Sequence, residues 1–279
     1  MLNETQKTQF VRDGYLVLED FKPIEEIRAA RARAEAIVED FDPGDTVSIF
    51  TTNDQVRKSD EYFLTSGDKV RCFFEEEAFG ADGRLKQAKA LSINKIGHAL
   101  HDLDPVFDRF SRDPKLAALA ADLGLAAPQI WQSMYIFKQP GIGGEVRWHQ
   151  DATFFETTPL SVTTFWFALE DADRSNGCLW VEPGGHRGPL RERFVLEDGA
   201  TRMEKLDAMP WPTDATAVPV EVKTGALVCF HGLLPHYSAP NRSPASRHAY
   251  TLHVTDGRTA YSPGNWLRRG PGLPVRGFA

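Results

Sequence analysis

Trp148-His149-Gln150-Asp151 sets an imidazole and a carboxylate two residues apart in a segment flanked by apolar residues. In an extended strand residues i and i+2 leave the same face, so His149 and Asp151 are expected side by side, roughly 6–7 Å apart along the backbone. Imidazole nitrogen with carboxylate oxygen suits Fe(II), Mn(II) or Zn(II). One further histidine would complete a 2-His-1-carboxylate face that leaves three coordination positions open.

Outward from this pair, the chain beyond Pro128 reads as short strands: Gln129 to Lys138, Trp148 to Phe155, Val162 to Leu169, Leu179 to Glu182, Val218 to Val222, Ala226 to Phe230 and Arg247 to Val254. Turn residues separate them at Pro140-Gly141, Asn176-Gly177, Pro183-Gly184-Gly185, Lys223-Thr224-Gly225 and Pro240-Asn241. Many short strands without regularly interleaved helices predict a sandwich or jelly-roll barrel. Arg187 to Pro219, rich in charge and proline, reads as a long insertion over one barrel mouth.

Upstream the pattern is α plus β. A short helix starting at Asn3 or Thr5 stops near Gly14, and Tyr15-Leu16-Val17-Leu18 is β-prone. From Ile24 the apolar residues Ile27, Ala30, Ala34, Ile37 and Phe41 recur at steps of three and four, with charges on the other side, which predicts an amphipathic helix. Asp42 to Glu77 is irregular, with β-prone patches at Val47 to Phe50 and Val70 to Phe74, and residues 51–69 within it are a candidate lid. Leu91 to Leu123 returns to helical spacing, broken by Pro105 and Pro114. The expected fold is mainly β with N-terminal α+β additions. One domain spans residues 1–279, its helical and irregular part about 1–127 and its β core about 128–260.

A net charge of −7 gives no electrostatic reason to bind nucleic acid or an anionic membrane, so small molecules are the expected partners. Three well-separated cysteines, Cys72, Cys178 and Cys229, fit buried thiols in a reduced compartment. With a polar start at Met1 to Gln9 and no apolar run of about 20 residues, a cytoplasmic location is expected. The oligomeric state is left open.

The β half offers His186, His231, His236, His248 and His253 as a third ligand, and spacing alone barely separates His231 from His236. His98 and His101, at i and i+3, read as surface or packing residues. Alternation from Arg247 places Arg247, Ala249, Thr251 and His253 on one strand face and His248, Tyr250, Leu252 and Val254 on the other, which is core-like. An arginine beside small residues has room for a carboxylate against its fork. Trp148, Phe154 and Phe155 around the ligand pair are candidates for a substrate mouth as well as for core.

Taken together, His149-Gln150-Asp151, Asn176-Gly177-Cys178-Leu179-Trp180, Pro183-Gly184-Gly185-His186, Phe230-His231 and the run from His236-Tyr237-Ser238 through Pro240-Asn241-Arg242-Ser243 to Arg247 resemble the phytanoyl-CoA dioxygenase family of Fe(II)- and 2-oxoglutarate-dependent oxygenases. Asp60 to Leu64, Ser66 to Lys69, Ser92 to Leu100 and Gln132 to Pro140 are especially similar to its domain-containing protein 1 subgroup. The resemblance implies a double-stranded β-helix of the cupin-like, jelly-roll type. It implies iron on His149, Asp151 and His236, and 2-oxoglutarate held by Arg247 and Ser238 with Lys95, Met134 and Trp166 lining its pocket. His231 becomes a structural residue. Gly185 departs from the serine usual in the family's Pro-Gly-Ser-His turn.

The implied activity is hydroxylation of a C–H bond in a small organic or acyl substrate, with O2 consumed and succinate and CO2 formed. A carboxylate at Asp151 leaves no open halide position, which favours hydroxylation over halogenation. No phosphate cradle for coenzyme A is legible. Two alternatives use the same ligand types: a metal-binding barrel without turnover, and a zinc hydrolase active without oxygen.

Overall fold

The computed structural model describes residues 1–44, 48–49 and 61–278. Helix α1 (Glu4–Asp13) is capped by Asn3, whose side chain accepts from Gln6 N while Gln6 returns a bond to the Asn3 backbone; Gly14 ends it at φ 80°. Strand β1 (Tyr15–Leu18) and helix α2 (Ile24–Asp40) follow, then α3 (Glu61–Leu64), β2 (Val70–Phe74) and β3 (Ile93–His98). Three short helices, α4 (Leu100–Leu103), α5 (Pro105–Ser111) and α6 (Pro114–Asp122), precede the β half. Asp104 and Asp113 cap α5 and α6, with proline in the first turn of each.

The β half comprises β4 (Pro128–Ile136), β5 (Val146–His149), β6 (Thr157–Thr158), β7 (Thr163–Ala168), β8 (Leu179–Val181), β9 (Glu192–Glu197), β10 (Ala200–Lys205), β11 (Val218–Val220), β12 (Leu227–His231), β13 (His236–Ser238), β14 (Ala249–Asp256) and β15 (Ala260–Tyr261). Seven strands form one sheet in the order β1-β12-β7-β14-β4-β3-β2, and four form a second in the order β11-β8-β13-β5. This is the mainly β, jelly-roll architecture expected. β14 carries it: Tyr250, Leu252 and Val254 join the larger core cluster, where Phe107, Phe110 and Phe167 contact Tyr250, while Thr251 and His253 face the space enclosed by the two sheets. Asp102 pairs with Arg112, Arg269 and Arg276, tying the α4–α5 region to the C-terminal segment.

Four readings change. Ile93–His98 is a strand rather than the start of a helix; all six residues are buried, so burial erases the period-2 signal and Ile93 and Ile96 mimic helical spacing. The strand read as Trp148 to Phe155 ends at His149, and Asp151 opens a 3-10 turn over Asp151–Thr153. The insertion folds back as the β9–β10 hairpin, and His236–Ser238 is a further strand. Most of the candidate lid, residues 51–60, lies outside the described residues; 61–69 form α3 and the turn after it.

Candidate active site

β5 and β13 are antiparallel neighbours that place His236 directly opposite His149. The ring Nδ1 of His149 lies 2.8 Å from Arg147 O, and that of His236 lies 3.0 Å from Leu234 O. Donation to these carbonyls fixes each ring and leaves Nε2 as the bare nitrogen, the arrangement metal-binding histidines need. Both Nε2 atoms are 3.6 Å from Asp151 Oδ1, and the three donor atoms lie within 4.8 Å of one another. Because Gln150 is extended and the turn begins at Asp151, the carboxylate swings under the two rings instead of projecting along a strand. Burial by itself would raise the Asp151 carboxyl, but the surrounding His236, His253 and His149 hold it well below the usual carboxylate range. Two imidazole nitrogens and a carboxylate oxygen are a fitting donor set for Fe(II).

The other Asp151 oxygen accepts from Thr164 Oγ1. His253 Nε2 stands 3.5 Å from Oδ1, its ring stacked on Phe155 at 4.8 Å and 14°. His253 and Thr164, register partners across β14 and β7, thus flank the same carboxylate, one at each oxygen. His253→Phe is expected to keep the stack but weaken metal affinity about 10- to 100-fold, measured by Fe(II) or Co(II) titration; unchanged affinity would remove His253 from this role. Gln150 faces away and joins three segments: its Nε2 donates to Pro189 O and Leu233 O, and its Oε1 accepts from Arg191 N.

The donors open on a cavity of about 530 Å³. Arg247, fully buried at its other end, donates from Nε to Gly177 O at 3.1 Å and from Nη2 to Ser238 Oγ at 3.4 Å, while Nη1 has no hydrogen-bond partner among the described residues. Burial lowers its pKa to about 10, so it stays cationic at neutral pH. A buried guanidinium with an open N–H facing a cavity calls for an anion. From there Trp166, Thr251 and Met134 form one row across β7, β14 and β4, and Lys95 Nζ lies 3.8 Å from Met134 Sδ. Gly177 sits at φ +86°, and a Cβ there would lie 2.7 Å from both Ala239 O and Lys138 Cε, so only glycine presents its carbonyl to Arg247 in this way.

All eight residues singled out in the sequence, His149, Asp151, His236, Arg247, Ser238, Lys95, Met134 and Trp166, line this one cavity. Trp148, Phe154 and Phe155 line it too, and Glu192, Phe194, Met203 and Trp211 bring the insertion over its mouth. His231 lies apart, accepting from Leu233 N and packed against His186, which meets Val11 O. The glycine at 185 has a local reason: a Cβ would come within 2.7 Å of Glu182 Oε2 and 2.9 Å of Pro235 Cδ. His98 and His101 are both fully buried, and His98 reaches the cavity wall. The sequence reading left Thr164 and Thr251 out of the site and weighed His253 only as one of five possible third ligands. The alternation from Arg247 had already put Thr251 and His253 on the cavity face; Thr164, inside an apolar run, gave no such signal.

Burial pushes the His231 and His248 pKa values down to about 4, against about 6.5 unfolded. Between these values the unfolded chain binds protons that the native chain does not, so stability rises with pH through the window and is lost on acidification. Each contributes a slope on the order of 1 kcal/mol per pH unit. Denaturant melts at pH 5 and pH 7 are expected to differ accordingly, and less so in His231→Asn.

The family model described as phytanoyl-CoA dioxygenase (PhyH) matches residues 10–249. The chain belongs to the phytanoyl-CoA dioxygenase family. Among curated members, rice phytanoyl-CoA dioxygenase 1 is 48% identical over 272 residues, covering 96% of this chain and 94% of its own. The bovine phytanoyl-CoA dioxygenase domain-containing protein 1 is 44% identical over 282 residues, covering 98% and 97%. The fold is also that of the solved non-haem α-ketoglutarate-dependent carbocyclase SnoK from nogalamycin biosynthesis (TM-score 0.65, 20% identity, 99% of this chain and 94% of that one). Membership in the phytanoyl-CoA dioxygenase family, with a His-Asp-His cluster in its cavity, gives the enzyme class: a non-haem oxygenase using Fe(II), 2-oxoglutarate and O2. No described helix is long and apolar enough to cross a membrane.

Proposed function

We propose that the enzyme hydroxylates a C–H bond of a small organic substrate, with iron on His149, Asp151 and His236 and 2-oxoglutarate anchored by Arg247 and Ser238. The observation that carries this reading is the presence, in one cavity, of three converging donor atoms and a buried arginine with an open N–H. When bound, iron and 2-oxoglutarate would let O2 act as the oxidant: two of its four electrons would come from oxidative decarboxylation of the keto acid to succinate and CO2 and two from the substrate C–H bond, with one oxygen atom going to each product.

The protein's own residues bind and orient. His149 and His236 present lone pairs fixed by backbone carbonyls, and Asp151 offers Oδ1 while Thr164 restrains Oδ2. Arg247 receives the distal carboxylate, and the Trp166–Thr251–Met134 row with Lys95 sets the length available between it and the donors. Trp148, stacked on Tyr237, and Phe154, against Phe194, keep the mouth poor in water. A regulatory barrel or a zinc hydrolase would have no use for the arginine end of this cavity.

The test is anaerobic addition of Fe(II) and 2-oxoglutarate to purified protein, recording the visible charge-transfer band of a chelated keto acid. A saturable band supports the reading; iron binding with no band at any 2-oxoglutarate concentration sinks it.

A further inference from the structure

The cavity also has an aromatic compartment formed by none of the residues assigned above to iron or 2-oxoglutarate. Phe63 and Trp266 stack there at 4.4 Å and 22°, and the His98 ring meets both edge-on at 5.5 and 5.3 Å. Phe155, stacked on His253, joins this compartment to Asp151. Gln132, opposite His253 in the β4–β14 register, also reaches it.

The hydrogen-bond bookkeeping at His98 fixes its tautomer. Ser66 Oγ lies 2.5 Å from Phe63 O and 2.7 Å from His98 Nδ1. A hydroxyl has one proton, and a carbonyl can only accept, so Ser66 donates to Phe63 O and accepts from His98 Nδ1–H. Nε2 therefore carries a lone pair, and it has no partner among the described residues. Complete burial, reinforced by Lys95 and other cations nearby, keeps the ring neutral. Here is a fully buried acceptor in an aromatic wall of the cavity that also holds the metal donors. Among the cations around it, Lys95 stands over Phe63 and Phe73 at 5.9 and 5.7 Å, with its Nζ 3.8 Å from Met134 Sδ.

We propose that this compartment receives the organic substrate, and that the substrate is an uncharged, flat, largely apolar molecule presenting an O–H or N–H donor to His98 Nε2. The inference rests on the oxygenase reading for the meaning of "substrate". A buried acceptor left unpaired discriminates against a ligand that lacks the donor, and one facing an ether or carbonyl oxygen meets lone pair with lone pair.

Three probes of one shape isolate this: indole offers a donor, indene neither, benzofuran an acceptor. They are titrated calorimetrically into the full chain, metal-free and loaded with Mn(II) and 2-oxoglutarate. Indole is expected to bind at least about tenfold more tightly than indene, and benzofuran no better than indene. His98→Leu removes the preference. Ser66→Ala frees the ring to place its proton on Nε2, which moves the preference toward benzofuran. Equal binding of the three probes, binding of none, or an indole preference that survives His98→Leu overturns the proposal. Loss of the charge-transfer band with the indole preference intact would instead remove the oxygenase reading and leave the His98 assignment standing.

Discussion

Asp151→Asn is expected to lower Fe(II) affinity more than about 100-fold and to abolish the charge-transfer band, while the chain stays folded. Losing an outer partner of a metal ligand costs about 10–100-fold, and removing the ligand's own charge costs more. Asparagine keeps the shape and can still accept from Thr164, so the side chain stays in place. What disappears is the anion facing two fixed Nε2 lone pairs. Iron retained near wild-type affinity would mean that the metal is held by other groups.

The second large effect is expected at the far end of the cavity. Arg247→Ala should raise the 2-oxoglutarate concentration needed for half-saturation by about 10- to 150-fold, the equivalent of a charge-assisted hydrogen bond of about 1.5–3 kcal/mol. Iron binding without 2-oxoglutarate should be unaffected, because Arg247 touches Gly177, Ser238 and the Trp166 face rather than the donors. Arg247→Lys restores charge but not the fork, and should recover only part of the loss. A variant that loses iron affinity along with 2-oxoglutarate affinity would point to collapse of the site rather than a missing clamp.

How much of this was legible beforehand differs from residue to residue. Arg247, Thr251 and His253 could be placed on one face because β14 is covered by apolar core on its other side, so the alternation is clean. The strand character of Ile93–His98 was hidden because both of its faces are buried and two isoleucines fall three apart. Choosing His236 over His231 required knowing that β13 lies against β5, a pairing across more than eighty residues that local spacing does not encode. The resemblance to a family supplied that choice; geometry then put His231 against His186, away from the donors. The role of Gly177 was visible only as a turn residue, since its importance is a carbonyl seen by a distant arginine.

The pairing of β1 with β12 has a consequence during synthesis. Tyr15–Leu18 emerges early, but its hydrogen-bonding partner, Leu227–His231, follows more than 200 residues later. At roughly 5–20 residues per second, β1 waits on the order of ten to forty seconds with an open edge. His149 and Asp151 are also made well before His236, so the nascent chain passes through a period with two of three donors assembled. The docking of β1 and the gathering of the three candidate donors therefore belong to the same late stage, when β12 and β13 arrive together, and β14, which joins β7 to β4, closes the sheet only after them.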